Sequence, residues 1–375
     1  MGIPFSKRLI IRFCGQKKTC PDFDFHRVKS ILIRPLGDAV GDAVINLAYA
    51  KQLKTVYPHL KLGVLVTPRN RAVFSFSPLI DELIDKKPAN YLKQRKKWQL
   101  LLDFSEHFDS PNIISSAVLA PQAVMIFRKR SHKGYYSLKN IRNYDFYCPY
   151  PRDSHVVDHL RTSVFADYFQ LPLALPELSV SEQLQDGILP FWGGQPGQIL
   201  VFVAPQGSVP DKCVPAEETA GLLNRVHAAL RPNIRFLLCN GKTGAEYYRQ
   251  LKPLCDANID IGLSPETSVG EYIALTASAD LVIGVDSGTV HLACALSKPL
   301  LSFYVNHNLD TWGPLYHPHV PHFTAVAHAK QQKRDSEEVA WRSRGDFPMD
   351  EAATWFNREA AALLREKQGL GSEEF

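Results

Sequence analysis

Short apolar runs alternate along the chain with longer stretches in which apolar residues recur every three or four positions. In the first half, runs that suit buried strands lie at 30–34, 61–66, 99–103 and 122–127. The clearest helical pattern between them covers 42–57. Alternation of strand and helix patterns is typical of βαβ units and predicts a parallel sheet.

The alternation restarts in the second half of the chain. The stretch 171–198 is rich in Pro, Gly and Gln, which is a linker composition. Further strand patterns follow at 199–205, 234–239, 280–285 and 299–303. Helical patterns follow at 215–230, 243–256, 268–278, 288–297 and 349–367. We therefore predict an α/β protein with two Rossmann-like, doubly wound domains.

One stretch of the first half departs from this alternation. Residues 128–152 are basic and rich in Tyr, and they are predicted to form a long loop or insertion. A helix is expected after it at 155–169. In doubly wound sheets, ligands bind outside the carboxyl ends of the strands, so the informative residues should lie where each strand pattern ends.

Composition and charge narrow the classes of function. The 375 residues contain no apolar run long enough to span a membrane, and the basic start of the chain lacks the cleavage site of a secretory signal. Seven scattered cysteines without a CxxC pair predict neither a disulfide framework nor a structural zinc site. Residues 1–150 carry a net charge of +14 and residues 151–375 a net charge of −9. This division suggests that the first half faces an anionic partner: nucleic acid, phosphorylated lipid or a membrane surface.

The first candidate site follows the strand pattern at 30–34. A Gly-rich turn brings Asp42 to the start of a helical pattern, and because the sequence GDAV occurs twice, Asp38 is a competing candidate. An Asp at a helix start can simply cap free backbone N–H groups. The functional alternative is a carboxylate that acts as a general base. We favour Asp42 because the helical pattern begins immediately after it.

The second candidate site is the loop after the strand pattern at 199–205. It contains Gly207, Ser208 and Lys212 ahead of a helix expected near Pro215. Lys212 is either a solvated loop lysine or a mobile cation that reaches a phosphate. The residue pattern alone leaves both alternatives open.

The most specific pattern is the turn after the strand at 280–285. Its residues are Asp286, Ser287, Gly288, Thr289 and His291. Free backbone N–H groups at a helix start form an anion site, and Gly288 allows close approach of the backbone. A capped turn with a buried histidine is the structural alternative. The concentration of polar residues at one strand end favours the anion site.

Taken in order, these three segments resemble glycosyltransferase family 9, the bacterial lipopolysaccharide heptosyltransferases. The likeness spans roughly residues 30–315 and is strongest in ADLVIGVDSG…HLACAL, within 279–296. The sequence DTWGP at 310–314 resembles a further motif of the family. This resemblance implies a GT-B fold, with two facing Rossmann-like domains and a cleft between them.

The chain departs from the family pattern at two places. Arg34 and Asp42 stand two residues further apart than the common spacing, in line with the duplicated GDAV. Cys213 and Val214 replace the Arg-Trp pair that follows the family's lysine. The first departure leaves the choice between Asp42 and Asp38 open, and the second leaves room for a different donor sugar.

The resemblance also implies a division of the chain. We expect a basic leader at 1–25, an acceptor-binding domain at 26–190 and a nucleotide-sugar-binding domain at 191–345. The helix in 346–375 is expected to pack back on the first domain. The implied donor is ADP-L-glycero-D-manno-heptose, and the implied acceptor is the Kdo region of a lipid A core.

The implied reaction is a single inverting displacement with Asp42, or alternatively Asp38, as the base. Lys212 and the amides at the start of the helix after Asp286 would stabilise the leaving diphosphate, and Glu246 would contact adenosine or remain a surface residue. The donor-binding set is Gly207, Ser208, Lys212, Glu246, Asp286, Ser287, Gly288, Thr289 and His291. Because Lys212 and these amides supply positive potential, neither a cofactor nor a metal is expected. The D-x-D triplet at Asp22 and Asp24 lies before the first predicted strand, outside the predicted sheet.

The basic runs 86–98 and 128–142 are candidates for acceptor contacts, with solvated surface as the alternative. The acceptor-binding set is Arg34, Lys93, Arg95, Arg128, Arg130 and Lys133. The leader 1–18 has apolar residues among basic ones and could lie on an anionic inner leaflet. We therefore expect a cytoplasmic protein at the periphery of the inner membrane that binds no nucleic acid.

Three other functions compete with this interpretation. One is a family 9 transferase that uses a different nucleotide-sugar. Another is a basic nucleic-acid-binding protein, although no nucleic-acid-binding motif is present. The last is a nucleotide-sugar binder without catalysis.

Overall fold

The computed structural model describes residues 3–130, 134–151, 153–209, 212–304, 309–327 and 346–369. The chain forms two compact units that divide between Glu177 and Leu178, and residues 310–312 group with the first unit. The division thus lies before the expected boundary at 190 and 191. Residues 178–190 belong to the second unit because helix Glu182–Ile188 packs against helix Val269–Ser278.

The first unit is a six-stranded parallel sheet with helices. Its strands are β1 (Ser30–Arg34), β2 (Lys61–Val66), β3 (Glu82–Asp85), β4 (Leu100–Asp103), β5 (Ala123–Phe127) and β6 (Phe146–Cys148). Its helices are α1 (Phe5–Phe13), α2 (Val40–Val56), α3 (Arg71–Ser75), α4 (Pro88–Lys93) and α5 (Ser110–Leu119). The strand order is β3-β2-β1-β4-β5-β6. The central strands are almost fully buried, and apart from Ser30, Arg34 and Asp103 they are apolar, because helices cover both faces of such a sheet.

The second unit repeats this architecture. Its strands are β7 (Ile199–Ala204), β8 (Ile234–Leu238), β9 (Ile261–Leu263), β10 (Leu281–Val285), β11 (Leu300–Tyr304) and β12 (His322–Val326). Its helices are α6 (Glu182–Ile188), α7 (Ala216–Asn224), α8 (Gly244–Leu251), α9 (Val269–Ser278), α10 (Gly288–Ala295) and α12 (Met349–Lys367). The short helix α11 (Leu309–Trp312) begins in the second unit, and its last three residues group with the first. The strand order β12-β11-β10-β7-β8-β9 is the same doubly wound order as in the first unit.

The sequence patterns predict the central strands of both sheets to within one or two residues, and the prediction of two doubly wound α/β domains is confirmed. The predicted helix at 155–169 is wrong, since this stretch contains only the short 3-10 turns Val156–Asp158 and Val164–Asp167. The predicted insertion at 128–152 contains β6, and its Tyr136 and Ile141 are buried in the first core.

The C-terminal helix α12 belongs to the second unit. Trp355 and Phe356 are buried in the same core as the strands of that unit. Lys367 forms an ion pair of 2.8 Å with Asp280, just before β10. The expectation that this helix packs back on the first domain is therefore corrected. Its amphipathic pattern requires an apolar partner but does not specify which sheet supplies it.

The leader is an ordered part of the first unit. Ile10 and Ile11 of α1 pack against the first core, and Lys7 donates a hydrogen bond of 2.8 Å to Ser110 at the start of α5. The backbone of Arg142 bonds to Gly15 beyond the helix. No helix in the described ranges is long and apolar enough to cross a membrane.

Candidate functional site

The first unit has an ion pair at the point where its strand order reverses. The strands β1 and β4 are adjacent, and their last residues, Arg34 and Asp103, stand directly opposite each other in the sheet. The Arg34 guanidinium donates to the Asp103 carboxylate at 2.7 Å, and both side chains are buried. The same guanidinium donates to the hydroxyls of Ser115 and Ser116 on α5. Ligands of doubly wound sheets bind at such switch points, so this pair lies under a candidate site.

Lys129 supplies a second buried cation to the same carboxylate. Its Nζ lies 3.3 Å from Asp103 and also donates to the backbone of Ser105. Burial alone would raise the pKa of Asp103, but Arg34 and Lys129 together hold it at about 2. Burial lowers the pKa of Lys129, which Asp103 partly offsets. The cluster therefore fixes the carboxyl ends of β1, β4 and β5 together.

We predict that this carboxylate makes the stability of the first unit sensitive to acid. The pKa of Asp103 lies below its ordinary value of 3.8, so its contribution is present above 3.8 and is lost as the pH falls through about 2. The stability difference between wild type and Asp103→Asn should shrink by about 2 kcal/mol between about pH 5 and about pH 2. Urea denaturation at several pH values measures this, and a constant difference would contradict it.

Asp42 lies in the first turn of α2, and its position is set by the glycine turn. The helix begins at Val40, two residues before Asp42 and not after it as expected. The Asp42 carboxylate accepts a hydrogen bond of 3.3 Å from the Ala39 N–H, so the capping role is present. A Cβ at Gly37 would lie 1.9 Å from the Asp42 carboxylate oxygen, so only glycine leaves room for it. Asp42 is half-buried and lines the pocket above Arg34.

The competing Asp38 is held less firmly. Its nearest charged partner is Arg69, at 3.9 Å, and both side chains are largely exposed. An exposed pair at this distance contributes little to stability. Asp38 lines the same pocket as Asp42, so the geometry keeps both as candidates while the better-held carboxylate is Asp42.

The pocket at this sheet edge has a volume of about 510 Å³ and is mainly polar. Besides Arg34, Asp38 and Asp42, its lining includes Lys86, Glu106, His107, Asp109, Asn112 and Arg130. Burial, followed by the charge of Arg34, lowers the pKa of Lys86. Cations and carboxylates thus surround one cavity that is large enough for a sugar unit.

The structure separates the proposed acceptor contacts into two groups. Arg128 and Arg130 follow β5 at the carboxyl edge, where Arg130 pairs with Glu106 at 2.9 Å and Arg128 lies over the Tyr150 ring. Lys133 lies outside the described residues.

The other group lies at the opposite edge of the sheet. Lys93 ends α4, and Arg95 donates to the carbonyl of Val118 near the C-terminal end of α5. Helices between parallel strands run back to the amino edge of the sheet, so these two cations do not join the pocket around Asp42. Of the run 86–98, only Lys86 lines the pocket. Arg34 also lines the pocket, where it is buried and paired with Asp103.

The second unit has a corresponding ion pair at its own switch point. β7 and β10 are adjacent, and the residues after their ends supply Lys212 and Asp286. The Lys212 Nζ lies 2.8 Å from the Asp286 carboxylate, which is 8% exposed. A half-exposed lysine held by a buried carboxylate is a positioned cation and not a freely solvated one. The structure thus joins two segments that are more than 70 residues apart.

The loop that carries Lys212 folds back on itself. Gln206 and Cys213 pair as an antiparallel bridge, and the Gly207 N–H donates to the Lys212 carbonyl at 2.6 Å. A Cβ at Gly207 would lie 2.5 Å from the Lys212 Cβ, so glycine is required for this closure. Ser208 is exposed at the tip. Gly207 therefore positions the lysine.

The turn after β10 presents the start of α10 to the same place. The Ser287 hydroxyl accepts from the Thr289 N–H at 3.3 Å, which leaves further first-turn N–H groups for an anion. Gly288 is the first residue of α10, and Tyr272 of α9 bonds to the Thr289 hydroxyl. His291 is buried in the next turn. The helix dipole and Lys212 together give this edge positive potential.

The side chain of Glu246 makes its contacts on its own helix. It is in the first turn of α8, is half exposed, and pairs with Arg249 and Gln250 on its own helix. These contacts are those of a helix-surface glutamate, the alternative that the sequence left open.

Several polar residues at both edges were not identified from the sequence. In the first unit Asp103 is one of them, whereas Lys86 and Lys129 lie within the basic runs 86–98 and 128–142 but were not named individually. In the second unit, the Tyr304 hydroxyl and His317 Nε2 are buried without a hydrogen-bond partner in the part of the chain that the structure describes. Burial, then the nearby Asp286 charge, raises the pKa of Tyr304. Their position could have identified two of them, because Asp103 and Tyr304 are each the last residue of a strand.

The D-x-D triplet has structural partners. The Asp24 side chain accepts from the His26 N–H and lies 3.3 Å from Arg27. Within the ranges that the structure describes, no group of three or more His, Cys, Asp or Glu is arranged to hold a metal ion.

Comparison with known proteins identifies the family. The model of glycosyltransferase family 9 (heptosyltransferase) matches residues 97–341, which is more than half of the chain. The chain belongs to glycosyltransferase family 9. As a member, it is a glycosyltransferase, so the enzyme interpretation is favoured over the nucleic-acid-binding one.

Two relatives named as heptosyltransferases come from Haemophilus influenzae. The chain is 26% identical over 334 residues to lipopolysaccharide core heptosyltransferase OpsX, covering 84% of this chain and 90% of the relative. It is 23% identical to lipooligosaccharide heptosyltransferase 2, covering 71% of this chain and 80% of the relative.

Solved heptosyltransferase structures share the fold. The Escherichia coli ADP-heptose lipopolysaccharide heptosyltransferase II superposes with a TM-score of 0.66 at 17% identity, covering 91% of this chain and 99% of that one. The E. coli heptosyltransferase WaaC, solved with ADP, gives a TM-score of 0.65 at 15% identity, covering 88% and 99%. The GT-B class expected from the sequence is therefore confirmed.

Proposed function

We propose that this glycosyltransferase moves a heptose from ADP-L-glycero-D-manno-heptose to the Kdo-containing inner core of a lipid A glycolipid. The observation that carries the proposal is the Lys212–Asp286 pair at the second switch point, beside the start of α10. It supplies a cation and backbone N–H groups where a nucleoside diphosphate would leave. The relatives named above, which are heptosyltransferases of lipopolysaccharide or lipooligosaccharide, support the choice of heptose and acceptor.

Departure of the diphosphate is the step that the second unit would assist. Breaking the bond between the anomeric carbon and the phosphate oxygen builds negative charge on the phosphate. Lys212 and the first-turn amides of α10 are already oriented, so they stabilise that charge without reorganisation. We propose that Asp286 holds Lys212 in place before the donor binds, and that His291 and the Ser287–Thr289 turn hold the donor.

Deprotonation of the acceptor is the step that the first unit would assist. An acceptor hydroxyl has a high pKa and must lose its proton as it attacks the anomeric carbon. We propose Asp42 as the base that takes this proton, in a single displacement that inverts the anomeric configuration. Its carboxylate is held by the Ala39 N–H in the space that Gly37 leaves, so it suits the role better than Asp38, which pairs only at 3.9 Å with Arg69.

The pocket around Asp42 would recognise the anionic acceptor. Kdo carries a carboxylate, and Arg130 and Lys86 line this pocket while Arg128 lies at the same edge. Arg34 contributes from beneath by holding the edge together. Because cations of the protein supply the positive potential, we propose that transfer needs no metal. We also propose that transfer occurs in the cytoplasm, at the inner membrane surface. Full activity in the presence of a chelator would support the first point.

A thermal-shift screen with nucleotide-sugars tests the donor assignment. We expect stabilisation by ADP-heptose and by ADP, and little by UDP-sugars. Stabilisation by UDP-sugars alone would overturn the donor, and would fit a different nucleotide-sugar at the Cys213–Val214 departure. Donor hydrolysis or transfer by the purified protein would separate a catalyst from a simple binder.

Replacing Lys212 by alanine should weaken donor binding by about tenfold to a hundredfold. The change removes a charge-assisted contact and also leaves the Asp286 carboxylate facing the diphosphate. Calorimetric titration with ADP measures the effect. Lys252→Ala, which removes an exposed lysine beyond the C-terminal end of α8 in the same unit, is the matched control and should bind normally. Equal affinities of the two variants would remove Lys212 from the donor site.

A further inference from the structure

The helix α1 has two faces of different character. Ile10 and Ile11 face the core of the first unit, while Phe5, Leu9 and Phe13 are exposed. The three exposed residues are four positions apart, so they form one stripe along the helix. Phe5 and Phe13, at 76% and 71%, are the two most exposed large apolar side chains of the described residues.

This stripe is not an ordinary surface feature. Single exposed apolar residues are common, but three on one helical face form a contiguous apolar patch, and such patches mark interaction sites. The opposite face of α1 packs on the core, and Lys7 holds it there by donating a hydrogen bond to Ser110. The helix is therefore anchored with its apolar stripe outward.

Charge indicates which partner the stripe suits. At 100° per residue, Arg8 and Arg12 fall on the flank of the stripe, and both are exposed. Lys7 lies on the packed side, and no acidic residue occurs in α1. Phe and Leu flanked by arginines are the pattern of helices that lie in the headgroup region of anionic lipid bilayers. The first 150 residues, which include this helix, carry the positive excess of the chain.

The position of the helix relates the stripe to the proposed acceptor pocket. Ser110, which bonds Lys7, directly follows Asp109, and both Asp109 and Asn112 line the pocket that contains Asp42. A bilayer that receives Phe5, Leu9 and Phe13 would therefore lie near the pocket in which the headgroup of a glycolipid is proposed to bind.

We propose that α1 is a membrane-docking surface for anionic phospholipid, with Phe5, Leu9 and Phe13 inserted among the headgroups and Arg8 and Arg12 beside lipid phosphates. The surface would hold the pocket of the first unit at the bilayer where its acceptor resides. The role in holding the pocket at the bilayer rests on the proposed function, whereas the binding of α1 to lipid does not depend on it. One short helix gives reversible binding, which suits an enzyme that must move from one acceptor to the next.

Co-sedimentation with vesicles tests the surface. Wild type should bind vesicles of phosphatidylcholine and phosphatidylglycerol, and bind pure phosphatidylcholine vesicles much less. The triple variant Phe5→Ser, Leu9→Ser and Phe13→Ser should bind the anionic vesicles at least about tenfold more weakly, since three apolar side chains lose their burial. The variant Arg8→Glu with Arg12→Glu should lose about tenfold or more, and its loss should be larger at low salt.

The matched control removes three exposed leucines outside α1, at Leu92, Leu173 and Leu189, by substitution with serine. It should bind vesicles like wild type. Circular dichroism establishes that each variant is folded. Undiminished binding of the triple variant, or equal loss in the leucine control, would overturn the proposal. A change in oligomeric state of the triple variant without loss of lipid binding would assign the stripe to a second copy instead.

Activity separates this proposal from the function on which it rests. The triple variant should lose transfer to an acceptor embedded in anionic vesicles and keep transfer to the same acceptor after removal of its acyl chains. Equal loss on both acceptors would contradict a docking role. If wild type transfers heptose to neither acceptor, the proposed function fails while the vesicle-binding result still decides the role of α1.

Discussion

Replacing Asp42 by asparagine should reduce the transfer rate by at least about a hundredfold while ADP binding stays unchanged. Asparagine keeps an oxygen that can accept the Ala39 N–H, so the start of α2 is preserved, but it cannot take a proton at neutral pH. The loss should therefore appear in kcat and not in donor affinity. Steady-state transfer kinetics together with titration of ADP measure the two quantities separately.

Asp38→Asn is the matched control, because this carboxylate lines the same pocket and pairs only at 3.9 Å with the exposed Arg69. It should keep most of the activity. If Asp38→Asn abolishes transfer and Asp42→Asn does not, the base is Asp38 and the duplicated GDAV has shifted the catalytic position. If both variants transfer normally, neither carboxylate is the base.

Replacing Asp103 by alanine should lower the free energy of unfolding by about 3 to 5 kcal/mol. The substitution leaves Arg34 and Lys129 buried without their counter-charge, and a guanidinium cannot relieve this by losing its proton. Urea denaturation of the full chain measures the loss. The ends of β1, β4 and β5 should loosen first, so acceptor turnover should fall as well.

Asp85→Ala is the control for this prediction. Asp85 ends β3 in the same unit and pairs with Arg71 at 2.8 Å, but both side chains are well exposed. Its removal should cost less than about 1 kcal/mol. Similar losses of unfolding free energy in the two variants would mean that burial of the Arg34–Asp103–Lys129 cluster adds nothing to its contribution to stability.

The sequence was most informative where long apolar runs set the structure. The central strands that end at Arg34, Ala204 and Val285 are buried on both faces, so their hydrophobic runs are continuous and their ends are visible in the sequence. The edge strands β3, β6, β9 and β12 were not predicted. Three of them have only three or four residues, which is too few to show a pattern, and β3 and β12 mix polar with apolar positions because an edge strand is partly exposed.

The partners of the site residues could not be predicted in the same way. Arg34 meets Asp103 because β1 and β4 are neighbours, although 69 positions separate them, and Lys212 meets Asp286 for the same reason at the second sheet. Strand order decides these contacts, and periodicity does not encode strand order. The same limit explains α12: its apolar face suits either sheet, and only the packed structure assigns it to the second unit.

The most direct test of the proposed reaction is the configuration of the product formed from ADP-L-glycero-D-manno-heptose and a Kdo-lipid A acceptor with a chelator present. NMR spectroscopy of the purified product reports the configuration at the anomeric carbon. The proposed single displacement by an acceptor activated at Asp42 predicts transfer of heptose with inversion. Transfer with retention, or transfer only from a UDP-sugar, would contradict it.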